Sequence, residues 1–226
     1  MSTETFQQKE PGVKTQRPIL FSTPMVQAIF QNRKTITRRT KGLDEINSTL
    51  SWDFKHFAAG QSGAQNAWFQ LKGGSWQAIK PPYKTCDILW VRESFHSKPV
   101  HVEPPGEKYW YKADNHYPNL DWISWKPSIH MPKAACRLFL EVINVRCERL
   151  QDISGSDAKK EGIEILYKEH GVFPMYKDYL SEKFTYDDER KSFQSLWQKI
   201  NGIDSWDQNP WVSVIEFKRI EKPESF

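Results

Sequence analysis

Between positions 33 and 39 the chain sets four cations, Arg33, Lys34, Arg38 and Arg39, beside two hydroxyls, Thr35 and Thr37. Cations and hydroxyls converging at the end of an element suit an anionic or nucleotide-like ligand, because each cation offers charge-assisted hydrogen bonds. The same residues also fit a plainer reading, a solvated helix end whose cations offset the C-terminal dipole. Lys34 and Thr37 could do more than bind. A threonine hydroxyl becomes a nucleophile only when a base takes its proton. A lysine can be that base at neutral pH only if burial or nearby cations, here Arg33 and Arg38, lower its pKa from about 10.4. If Lys34 stays charged it stabilises an oxyanion instead, while Glu161 serves as the base, and the sequence leaves both assignments open.

Other residues carry weaker signals. Arg92 and Glu93 close an apolar run, and Ser128 and His130 lie in a proline-rich stretch ahead of Arg137. Ser128 and His130 are the residue types of nucleophilic catalysis, although a histidine beside prolines also serves as a structural hydrogen-bonder. With Arg33, Arg38 and Arg39, these four residues are the candidate ligand or nucleic-acid contacts. Glu161 ends a short helix, where a carboxylate faces the unfavourable end of the dipole, so its placement needs a reason. His96 and His101 are the only close histidine pair and no Cys-x-x-Cys occurs, so no metal or cofactor is expected. Three cysteines without a leader-like segment imply a reducing cytoplasm, and no apolar run is long enough to span a bilayer.

These residues need a scaffold. The 226-residue chain is 38% hydrophobic, but 10 Trp, 8 Tyr and 13 Phe can build a core. The formal net charge of +4 favours a polyanion partner without deciding for one. Residues 1–17 read as a flexible tail and residues 221–226 as a second. A strand over 18–21 precedes a helix with Thr23 as N-cap and Pro24 at its first position, running to about Arg33. Positions 41–83, rich in glycine and tryptophan, read as a long inserted loop or hairpin whose aromatics either anchor it or stack on bases. Strands are expected at 88–92, 109–111, 138–147 and 209–218, and a proline loop over about 118–133. Ser154 and Asp157 approximate a capping box for the short helix that Gly162 closes. A second amphipathic helix over 186–200 puts Phe193, Leu196, Trp197 and Ile200 on one stripe.

Arg33-Lys34-Thr35-Ile36-Thr37 resembles the signature of the ASCH family, a branch of the PUA-like barrels, in which a Gly-x-Lys-type turn follows the first helix. Asn32 stands where that pattern has glycine, and Asn is the next best residue for a left-handed turn. Asp87 to Glu93 is similar to the family's Gly-Asp-x-Leu-x-Val-like strand, with Cys86 in place of the glycine. The Asp152-to-Gly162 helix and the Val214-Ile215-Glu216-Phe217 strand follow in the family's order, and the proline loop resembles one in longer, phage-associated members. The resemblance implies an α+β fold, a PUA-like mixed β-barrel with flanking helices, spanning one domain over residues 18–220. It also implies a catalytic trio that falls on Lys34, Thr37 and Glu161, as in relatives that remove the acetyl group from N4-acetylcytidine. A nucleoside or RNA is then the expected ligand. The alternative class is an RNA or single-stranded nucleic-acid binding module, or a ribonuclease, in which Lys34 and Glu161 form only a salt bridge. Oligomeric state is left open by the sequence.

Overall fold

The computed structural model describes residues 15–49, 51–59, 65–97, 108–114, 123–167 and 173–226. In chain order the elements are β1 (Gln16–Leu20), α1 (Thr23–Phe30), β2 (Ile36–Arg39), α2 (Asp44–Asn47), β3 (Trp52–Ala59), β4 (Gln65–Leu71), β5 (Trp76–Ile79), β6 (Ile88–Arg92), β7 (Phe95–Ser97) and β8 (Tyr109–Tyr111). They continue as β9 (Phe139–Arg149), α3 (Gly155–Lys160), β10 (Ile165–Leu166), β11 (Met175–Asp178), β12 (Lys183–Tyr186), α4 (Glu189–Asn201) and β13 (Trp211–Ile220). The fold is α+β.

A five-stranded mixed sheet in the order β1-β6-β9-β13-β2 carries the molecule. β1 runs parallel to β6, and the other pairs are antiparallel. Central β13 is buried on both faces instead of alternating inside and outside. Ile215 and Phe217 join a core with Ile19, Val26, Leu89 and Leu140, while Val212 and Val214 join a second core with Leu150, Phe193 and Trp197. Such two-sided burial explains the near-continuous apolar run Val212-Ser213-Val214-Ile215.

Among the described residues the sheet is open, so the expected barrel closure is not seen. Edge strands β1 and β2 do not pair with each other. A side chain spans the gap instead: Arg39, at the end of β2, donates to the Leu20 carbonyl at 2.8 Å and lies 5.2 Å from the centre of the Phe21 ring.

Several expectations need correction. Residues 1–14 lie outside the described residues, but Gln16 and Arg17 are strand residues, paired with Ile88 and Leu89. Residues 221–226 dock, with the Phe226 ring 4.5 Å from Phe139 and Gln16 bonded to Ser225. The 41–83 insertion is a folded unit, in which α2 and the antiparallel sheet β3-β4-β5 enclose a core of Leu43, Ile46, Ala67 and Phe69 against Cys147. The β10-β11-β12 sheet was not foreseen. Its strands are two to four residues long, too short for a period to show.

Candidate functional site

The site is built where α1 turns into β2. Helix α1 stops because Asn32 adopts a left-handed φ of 57°. The Asn32 amide donates to the Ile29 carbonyl at 3.0 Å and the Arg33 amide to the Ala28 carbonyl at 2.8 Å. Those two bonds are the Schellman pattern, and asparagine is the residue after glycine best suited to it. The next residue, Lys34, pairs with Glu161 through an isolated bridge, and the Thr35 amide donates to the Lys160 carbonyl at 2.9 Å. The end of α3 is thereby stitched to the start of β2. Helix α3 itself begins as expected, with the Ser154 side chain accepting from the Asp157 amide at 3.1 Å.

Gly162 makes this stitch tight. Its φ of 89° favours glycine, and a Cβ there would stand 2.9 Å from the Cβ atoms of both Ala28 and Lys34. With no side chain at 162, α1, the turn and the end of α3 meet directly.

The meeting point buries charge. Lys34 Nζ lies 2.7 Å from Glu161 Oε2 and 2.9 Å from the Glu161 carbonyl oxygen, with Lys34 only 2% and Glu161 5% exposed. Arg38 takes the other carboxylate oxygen, its Nη1 donating to Oε1 at 3.0 Å. The same guanidinium donates to Glu148 Oε1 at 2.6 and 3.1 Å and to Asp157 Oδ2 at 3.3 Å, and Arg146 in turn binds both Glu148 and Asp157. Six charges thus alternate in sign, and the dipole cost of a carboxylate at the end of α3 is offset by two buried cations.

Burial lowers the Lys34 pKa most strongly, Glu161 opposes that, and the positive charges of Arg39 and Arg38 add to the lowering, so the net shift is downward. Burial also works against the charge of Arg38, but Glu161 and Glu148 outweigh it and hold its pKa up. Both oxygens of Glu161 are held by cations. Lys34 is the group whose protonation the site has loosened.

Two clefts open beside this network, and Glu161, Met25 and Leu196 line both. The first, of about 210 Å3, is walled by Thr37, Arg38, Arg39 and Lys41 on one side and by Phe193, Trp197 and Ile200 of α4 on the other. Thr37 is 2% exposed. The Trp197 indole N–H is buried and has no partner among the described residues. The second cleft, of about 570 Å3, runs between α1 and the β10-β11-β12 sheet past Arg33, Tyr167 and Tyr179.

Lys34 and Glu161 are therefore in direct contact, and Thr37 shares the first cleft with Glu161. The remaining candidates are placed differently. Arg33 is committed to the turn, donating to the Gly162 carbonyl at 2.6 Å and to Gln31 at 2.8 Å. Arg38 and Arg39 line the first cleft; all three nitrogens of the Arg38 guanidinium are engaged by carboxylates, while Arg39 donates to the Leu20 carbonyl. Arg92 holds the proline loop through the Met131 and Ile129 carbonyls, and Glu93 forms a two-point pair with Arg137 at 2.9 and 3.1 Å. Ser128 and His130 sit on a short turn of that loop and line neither cleft. Glu148 and Arg146 went unnoticed in the sequence, and Asp157 reads there only as a helix-capping residue. Arg146 and Glu148 both fall in the polar positions of β9, which was the one available signal.

Comparison with protein-family models, with curated proteins and with solved structures gives no match. No described helix is long and apolar enough to cross a membrane, and no described cluster of His, Cys, Asp or Glu has the makings of a metal site. The reading of the site therefore rests on its own geometry.

Proposed function

We propose that the chain is an amidohydrolase of N-acylated nucleosides, of the N4-acetylcytidine type, built on a PUA-like plan and using Lys34, Thr37 and Glu161. The observation that carries this reading is a buried lysine with a lowered pKa, clamped at 2.7 Å by Glu161, which lines one cleft together with Thr37. The cleft, at about 210 Å3, is smaller than the ~300–1,000 Å3 usual for drug-sized ligands, so it fits a base and its acyl substituent rather than a folded polymer.

In the proposed reaction the Thr37 oxygen adds to the acyl carbonyl carbon while neutral Lys34 takes the hydroxyl proton. That proton then passes to the exocyclic nitrogen as the C–N bond breaks, releasing cytidine. Water hydrolyses the acyl-threonine ester and frees the carboxylic acid. Glu161, fixed by Arg38, holds Lys34 in place and stabilises it once protonated. The Trp197 N–H is free to receive a carbonyl oxygen of the base, and Phe193 and Trp197 offer apolar walls to its ring.

The test is hydrolysis of N4-acetylcytidine by the purified protein, with Lys34→Ala, Thr37→Val and Glu161→Gln beside it. Turnover in the wild type and its loss in the Lys34 and Thr37 variants is the expected result. A folded wild type without turnover would sink the reading for this substrate.

A further inference from the structure

The inserted β3-β4-β5 sheet has two faces of different character, and the strand register sorts them. Phe57 and Ile79 are the cross-strand partners of Ala67, and Phe54 and Gln77 those of Phe69. That face covers the core with Leu43, Ile46 and Cys147. The opposite face is set by the pairs His56 with Trp68, Trp68 with Ala78, and Gln70 with Trp76. Lys72 and Lys80 continue it two residues beyond Gln70 and Ala78, and Lys55 is the extra residue of the bulge beside His56. One face of three short strands thus carries two tryptophans, a histidine, the amides Asn66 and Gln70, and three lysines at its margins.

This face is open at Trp76 and the lysines, while Asn66, Trp68 and Gln70 are half-buried. Trp76 is 50% exposed, and Lys55, His56, Lys72 and Lys80 are exposed as well. The His56 and Trp76 rings stand edge-on with centroids 6.2 Å apart, and the Trp68 indole N–H is buried without a partner among the described residues. Anchoring explains the aromatics of the covered face, such as Phe54, Phe57 and Phe69, but not those of this one. Asp53, the cross-strand partner of Gln70, lies on this face and is the one carboxylate among the residues of the three strands; three lysines outnumber it, so the face is net cationic as well as aromatic.

We propose that this face is a stacking platform for single-stranded RNA. Unpaired bases stack on exposed aromatic rings of a small sheet, and lysines at its margin meet the backbone phosphates. The Asn66 and Gln70 amides each offer a donor and an acceptor to a 2′-hydroxyl, which favours RNA over DNA. A duplex hides its base faces and cannot use the platform. This site goes beyond the hydrolytic cleft and does not depend on it.

Fluorescence anisotropy of a labelled oligouridylate with the full chain tests the proposal, at about 50 and 200 mM salt. The oligothymidylate and the RNA duplex are run beside it. Trp76→Ala is expected to weaken oligouridylate binding roughly 5- to 150-fold at an unchanged thermal midpoint, and Trp76→Phe to keep most of the affinity. Lys55→Glu with Lys80→Glu should weaken binding and flatten its salt dependence. The proposal is overturned if the wild type does not bind at the lower salt, if Trp76→Ala binds like the wild type, or if the duplex binds equally. Equal binding of the oligothymidylate overturns the assignment to RNA.

Discussion

Replacing Arg38 with methionine is the sharpest perturbation of the charge network. The guanidinium side chain is 1% exposed and touches Glu148, Asp157 and Glu161. Its removal strips Glu161 Oε1 of its partner and leaves Arg146 alone with two carboxylates. Breaking a buried pair by deleting one partner costs about 3–5 kcal/mol, because the remaining charge stays desolvated. Arg38→Lys should recover only part of the loss, since an ammonium cannot reproduce the fork that binds Glu148 through two nitrogens. Urea unfolding of the three proteins measures this directly. The substitution also has a signed effect on chemistry. The positive charge of Arg38 lowers the Lys34 pKa, so deleting it raises that pKa, and any limb of the pH–rate profile that needs neutral Lys34 moves to higher pH. A stability loss below about 1 kcal/mol, the range of exposed ion pairs, would refute the claim that this network is desolvated.

Other outcomes follow from single positions. Gly162→Ala should abolish turnover and lower the thermal midpoint, because its Cβ would stand 2.9 Å from Lys34 Cβ and from Ala28 Cβ at a φ of 89°; a variant with normal kcat would remove Gly162 from the account of the site. Ellman's reagent should titrate Cys86, which is exposed, in the native protein. Cys136 and Cys147, whose thiols burial pushes up to about 11 and about 12, should react only after unfolding. Cys86→Gly should raise the stability slightly, by up to about 1 kcal/mol, since the cost of a side chain at φ 71° exceeds glycine's extra chain entropy; differential scanning calorimetry reads the sign. Trp197→Phe should raise KM for the acylated nucleoside about 3- to 10-fold, as expected for one lost hydrogen bond from a donor without a partner among the described residues, and should lower the thermal midpoint because the indole is buried in the second core.

The parts of this chain that could be read from its sequence are those fixed by local backbone chemistry. Asn32 and Cys86, both standing where a glycine was expected, do adopt left-handed backbones, and Ser154 and Gly162 bound α3 as capping requires. The amphipathic stripe of α4 was visible too, although Ile200 is 54% exposed at the cleft instead of packed in the core. What could not be read was long-range pairing. Thr37 is a strand residue, so its spacing from Lys34 predicted nothing about convergence. It takes α3, more than a hundred residues later, to bring Glu161 onto Lys34. The partners of Arg38 are equally distant in sequence, and for that reason a side chain that reads as a ligand-binding cation proves to be occupied by the protein's own carboxylates. The insertion was misread because glycines at turns dilute the alternation of its three strands.

The inserted unit leaves and rejoins the body at almost one point, since a Cβ on Gly42 would stand 3.9 Å from the Lys80 carbonyl oxygen. A segment whose two ends touch can be excised or exchanged without moving the strands it interrupts, here β2 and β6. A short bridge from residue 42 to residue 80 would leave the five-stranded sheet in register, uncover Cys147 and Trp211, and remove the Trp52 carbonyl that Arg149 binds. The first cleft and the inserted sheet, which contributes no residue to its lining, are in this sense separable parts, each able to change at its own pace.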